Sequence, residues 1–152
     1  MNALKEAEGR VAEGRYVISR IGRTLIFTLE GGVETSALST ASQVLAEMQT
    51  RHSADSVVFE VSGCEMIDLD EFMELQRVVH TMEWLGLRCV IAGLRPGVVA
   101  YLATAGITAG SLRTSLDLEL ALQELNPSHD EPKSEPQPDS EPKSEPDDAR
   151  PH

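Results

Sequence analysis

Ile67-Asp68-Leu69-Asp70 is the one stretch of this sequence whose residue types and spacing resemble catalytic chemistry. Two aspartates one residue apart, shortly after a buried strand, can present a nucleophile and an acid/base around a magnesium ion, as phosphoryl transfer requires. Such a site also needs further acids to hold the metal and a cation to steady the phosphate. The later paired aspartates, Asp147-Asp148, lie in a stretch with no apolar partners, and Ser62-Gly63-Cys64-Glu65-Met66 separates Asp68 from the strand. The same residues have a simpler role. Asp68 with Glu71 spells a capping box, and Ile67 with Phe72 the hydrophobic staple around it. Asp70 and Glu71 suit the positive end of a helix dipole, each worth about 0.3–1 kcal/mol when exposed. Leu69, held between two acids, either tucks into the core or offers a contact to a partner.

Other chemistry is sparse. His52, His80, His129 and His152 have no histidine four residues away and no visible activating partner. Cys64 and Cys89 are too few for a disulfide framework or a four-ligand zinc site, and read as two reduced thiols. The chain carries no phosphate-binding glycine loop, dinucleotide fingerprint or nucleophile elbow. The expectation is a protein that is not an enzyme, with no cofactor and no metal.

The elements that must position the Asp68 region follow from hydrophobic period. Residues 16–21 and 24–29 read as strands joined at Gly22-Arg23, a hairpin. Residues 36–52 carry Leu38, Ala41, Val44, Leu45 and Met48 at helical spacing, and 56–61 is a short buried strand. After Asp68, Phe72, Leu75, Val79 and Met82 step by three and four along one helical face. Residues 88–92 form a fourth strand. Pro96 opens a helix with Val98, Val99, Leu102 and Ala103 on its apolar side. Residues 112–114 suggest a short edge strand, and 117–125 a closing helix. The order β-β-α-β-α-β-α-(β)-α implies an α/β fold, a mixed sheet with helices packed against it.

Composition bounds the rest. The chain has 152 residues and a formal charge of −12, room for one domain with an extension. No apolar run approaches the roughly 20 residues of a spanning helix, and the start has no apolar core of a secretory signal. Acidity argues against nucleic-acid binding, which needs a Lys/Arg patch. A cytoplasmic protein without membrane contact is expected. Seven of the eight prolines lie in residues 126–152, with eight acids, three bases and a near-repeat, Glu131-Pro132-Lys133-Ser134-Glu135-Pro136 and Glu141-Pro142-Lys143-Ser144-Glu145-Pro146. With no large apolar side chain to bury, this acidic tail is expected to be disordered and solubilising; the sharper reading is a regulatory arm modified at Ser134, Ser140 and Ser144. Residues 1–14, with few apolar groups, read as a flexible lead-in or frayed helix, leaving 15–125 as the folded unit.

Four motifs, in register with these elements, resemble the STAS domain of anti-sigma-factor antagonists and stressosome proteins of the RsbS and RsbR type. They are Met66-Ile67-Asp68, Trp84-Leu85-Gly86, Ala92-Gly93-Leu94-Arg95-Pro96, and Thr114-Ser115-Leu116-Asp117-Leu118-Glu119 with Ala121-Leu122 beyond. The resemblance implies protein binding, not catalysis. Its partners would be a switch kinase or anti-sigma factor of the ATPase fold, or sister STAS proteins, including copies of itself. The family's phosphorylated Ser or Thr falls at Leu69 or Asp70 here, and neither can accept phosphate. An aspartate brings about one negative charge where a phosphate brings about 1.5 to 2. The resemblance therefore implies an antagonist or scaffold fixed in one state, with Ser62, Gly63, Asp68, Leu69, Asp70, Met73 and Arg95 as its contact surface. Thr104, near the region of a second site in scaffold-type members, is a further candidate acceptor. The rival readings are a STAS domain sensing a nucleotide or lipid, and a magnesium phosphotransferase using Asp68 and Asp70.

Overall fold

Branched and aromatic residues build β2 (Gly14–Ile21) and β3 (Thr24–Glu30), antiparallel partners closed by the pair Ile21↔Thr24 around a two-residue loop. Gly22 sits at φ +60 and Arg23 is not left-handed, the pattern of a II′ turn with glycine first. The computed structural model describes residues 7–11, 14–31, 35–107 and 110–127. Upstream, β1 (Ala7–Val11) pairs antiparallel with β2, from Ala7↔Ile18 to Val11↔Gly14. Over residues 7–11 this replaces the flexible lead-in expected for residues 1–14, of which residues 1–6 and 12–13 lie outside the described residues. An edge strand draws its main-chain hydrogen bonds from one neighbour and needs few apolar side chains, so hydrophobic period does not reveal it. The tail expected over 126–152 lies, from residue 128 on, outside the described residues.

From β3 onward the strands run parallel, separated by helices: α1 (Thr35–His52), β4 (Ser56–Gly63), α2 (Leu69–Trp84), β5 (Arg88–Ala92), α3 (Pro96–Thr104), β6 (Thr114–Ser115) and α4 (Leu118–Leu125). The six-stranded sheet has the order β1-β2-β3-β4-β5-β6. The last strand, Thr114–Ser115, starts two residues later than the expected 112–114 and ends one later, and Leu112 is buried in the core instead.

Period-two alternation divides the core between the two faces. Val57, Phe59 and Val61 of β4 point with Phe27 and Ile91 toward Leu38, Leu45, Phe72, Leu75, Val79 and Met82 of α1 and α2. Tyr16, Phe27 and Phe59 form an aromatic row, with centroids 5.5 and 5.8 Å apart. Val58, Val90 and Ala92 point the other way, and Ala121 and Leu125 of α4 cover them. In α3, Val98 and Leu102 are buried while Val99 and Ala103 are exposed, so its apolar stripe is narrower than its sequence implies. The buried hydroxyls of Thr24 and Ser56, register partners in β3 and β4, satisfy each other at 2.8 Å. Among the described residues no helix is long and apolar enough to cross a membrane.

Candidate functional site

The start of α2 is built as its sequence dictates. Asp68 caps the helix, Oδ1 accepting the Glu71 amide at 2.8 Å while Glu71 Oε2 accepts the Asp68 amide at 2.8 Å. Ile67 and Phe72, the staple pair, are both buried. Asp68→Ala removes the side-chain half of this exchange, leaving the main-chain amide of residue 68 to Glu71, and is expected to cost about 1 kcal/mol. Denaturant titration checks it, and Asp68→Ser should recover most of the loss.

With Ile67 turned inward, Met66 turns outward and is 65% exposed. Leu69 is half-buried at the first helical position, and Met73, four residues on, is exposed on the same face. Met66, Leu69 and Met73 thus form an apolar strip at the helix tip, bordered by Glu65, Asp68 and Asp70. Sequence reasoning did not single out Met66. Two adjacent apolar residues before a cap give no signal as to which one faces the core.

The second half of the site comes from the ends of β4 and β5. Arg95 Nε donates to the Ser62 carbonyl at 2.9 Å, and Glu60 Oε1 accepts the Ser62 amide at 3.0 Å. Gly93, at φ +83, makes this approach feasible: a Cβ there would lie 2.8 Å from Ser62 Cβ and 2.9 Å from Glu60 Oε1. At Gly63 a Cβ would lie 2.9 Å from Glu30 Cγ. Ser62, Gly63 and Arg95 are therefore locked into one corner.

Beneath that corner lies the Cys64 thiol, fully buried, donating to the Leu29 carbonyl at 3.4 Å. Burial first, then the carboxylates of Glu60 and Glu71, push Cys64 up to about 11, with Arg95 opposing. Groups from the helix tip and from the strand-end corner thus act on one buried atom. Burial and Glu83 push Cys89 up to about 12. Both thiols stay protonated in the folded protein above pH 9, where an unfolded chain loses those protons. The contribution of these two thiols to stability is therefore fully present below pH 9 and is lost as pH rises toward 11–12. Thermal melts at pH 8 and pH 10.5 should show a larger alkaline drop in the native chain than in Cys64→Ala/Cys89→Ala.

Thr104 is not part of this assembly. It ends α3, whose nine residues start beside Arg95, so it lies about 12 Å further on at 1.5 Å per residue. Its hydroxyl is exposed and donates to the Ala100 carbonyl at 2.8 Å. The magnesium-phosphotransferase reading finds little support in the geometry. Asp68 is engaged as a cap, and no group of three or more His, Cys, Asp or Glu among the described residues is placed to hold a metal.

No family model matches this sequence, and no curated protein matches it. Solved structures do match in shape. A serine-to-glutamate variant of RsbS from Moorella thermoacetica superposes with a TM-score of 0.62 at 21% identity, over 74% of this chain and 95% of that one. A chain of the stressosome, described as a signal integration and transduction hub, gives 0.60 at 21% identity, over 75% and 99%. A Thermotoga maritima protein described as an anti-sigma factor antagonist gives 0.57 at 9% identity, over 72% and 92%. Nearly the whole of each of these proteins is matched, and the chain has the STAS-type fold they share.

Proposed function

We propose that this chain is a protein-interaction module of a bacterial partner-switching pathway, an antagonist or scaffold of the stressosome type. It works by contact through the tip of α2 and the adjoining Ser62–Arg95 corner. One observation carries the reading: at a capped helix start, between acidic groups, half-buried Leu69 and exposed Met73 follow exposed Met66 in an apolar strip. Apolar groups so placed suit a partner's pocket, and the acids around them suit a basic rim. The absence of a hydroxyl at 69 and 70 supports a surface whose charge is set at synthesis. The partner is an ATPase-fold switch kinase or anti-sigma factor, or a sister STAS protein. Isolating the native complex and identifying its members by mass tests this. Either partner class supports the proposal, and a chain recovered without any macromolecular partner overturns it.

A second reading, a STAS domain that senses a small ligand, has one observation in its favour. Phe72, Leu94, Val99, Leu102, Ile107 and Thr114 line a mainly apolar cleft of about 310 Å³ between α2 and α3. Its lining suits a lipid chain better than a nucleotide, because none of the described residues that line it is charged. A saturable rise in melting temperature with a fatty acid and none with nucleotides would support it.

A further inference from the structure

The fold gathers positive charge at the end of the sheet opposite the α2 tip. Parallel strands β3, β4 and β5 begin there in register, Thr24↔Ser56↔Arg88. Arg23 precedes β3 and Arg51 lies in the last turn of α1. Arg113 precedes β6, which pairs with Ile91 and Ala92, so it stands further along the sheet, level with Val90, and shares a cleft with Arg88. Asp55 meets Arg23 at 3.5 Å and Arg88 at 3.7 Å, holding these two near each other at partly exposed positions. Arg51 and Arg113 are exposed. No lysine occurs between residues 16 and 125, so the positive charge here is carried by planar guanidinium groups suited to carboxylates.

This end also carries the chain's only tryptophan, Trp84, at the close of α2 and 88% exposed. A cleft of about 300 Å³ runs between Gly86–Cys89 and Ser111–Arg113, with Arg88, Arg113 and the acid Glu83 on its walls. A second, beside His80 and Trp84, adjoins it through Glu83. An exposed indole beside an arginine-lined cleft is the chemistry that holds an extended, proline-containing acidic segment. Prolines stack on the ring, and carboxylates pair with the guanidinium groups.

We propose that the occupant is this chain's own tail, residues 128–152. The tail supplies the required chemistry, glutamates next to prolines in a repeated Glu-Pro-Lys-Ser-Glu-Pro unit, with a surplus of acids over bases. It leaves the domain at the end of α4, which starts just after β6 and packs back over Val58 and Val90. Its length does not limit it: about 25 residues at about 3.1 Å each span more than the domain's width. Tethering holds the tail at millimolar effective concentration, so weak contacts suffice. The acidic helix tip stays clear, leaving the partner surface free while the basic end is covered. This does not depend on the function proposed for that surface.

The lone tryptophan gives a direct readout in the full-length chain. The comparison is with a variant neutralised in the tail alone, Glu131→Gln, Glu135→Gln, Asp139→Asn, Glu141→Gln and Glu145→Gln, which leaves every core residue in place. At low salt, Trp84 in the native chain should emit further to the blue and be quenched by acrylamide about twofold less than in the variant. About 0.5 M NaCl should remove the difference. Equal emission and equal quenching at low salt overturn the proposal. A difference that grows with protein concentration overturns it too, because it assigns the surface to another copy of the chain.

Discussion

Leu69→Lys is expected to weaken the complex with the co-purifying partner about 100-fold, equivalent to about 2.7 kcal/mol, while leaving the fold intact. The side chain stands at the first turn of α2, half-buried, between exposed Met66 and Met73. A few residues near the centre of an interface carry most of its energy, and losing one costs about 2–4 kcal/mol. Lysine also reverses the charge pattern set by Glu65, Asp68 and Asp70. The domain itself should lose little. Leu69 contributes no hydrogen-bonding side chain, the capping exchange between Asp68 and Glu71 is untouched, and a cation at a helix start costs about 0.3–1 kcal/mol. Titration calorimetry with the identified partner measures the first effect and a thermal melt the second. Unchanged affinity would remove Leu69 from the interface. Loss of affinity with Leu69→Lys but not with Leu69→Met would assign the contact to its apolar character.

Gly93→Ala carries the largest expected effect on the domain, about 3 kcal/mol, or about 12 °C or more in melting temperature for a domain of this size. Two causes add. An L-residue at φ +83 costs about 1–2 kcal/mol by itself. The new methyl would also lie 2.8 Å from Ser62 Cβ and 3.0 Å from the Ser62 amide. Glu60 could swing away, but the Ser62 main chain belongs to β4 and cannot move without breaking the parallel ladder. Relief would have to come from the β5–α3 loop, carrying Arg95 off the Ser62 carbonyl. The same substitution should therefore disturb the strand-end corner as well as stability. Gly86→Ala is the internal comparison: it is also left-handed, at φ +89, but nothing lies within 4 Å of its added methyl. It should pay the conformational cost alone. Equal losses at the two positions would show that close packing of Gly93 on Ser62 contributes nothing.

Much of α2 could be read from the chain because the interactions that make it are local. Asp68 and Glu71 are three residues apart, Ile67 and Phe72 five, and the buried Phe72, Leu75, Val79 and Met82 follow helical period. The strand-helix alternation was legible for the same reason, as was the hairpin closed at Gly22-Arg23, though its turn type came from the backbone. Leu69 and Asp70 take their place at the helix tip by the same local rule.

Whatever depended on contacts distant in sequence required the fold. A run as polar as 7–11 becomes a strand only because β2 offers it an edge, and Met66 is exposed only because Ile67 meets the core. Arg95 reaches Ser62 across 33 residues, through the space that Gly93 leaves empty, while Thr104, on the same helix, lies at its far end. The gathering of Arg23, Arg51 and Arg88 at one end of the sheet, and the meeting of Arg113 with Arg88 across a cleft, follow from strand direction and register, which no window of the sequence contains. Helix caps, turns and periodicity are settled by neighbours a few bonds away. Sheet order, burial of one neighbour over another and the meeting of side chains are settled by which surfaces the whole chain can cover at once.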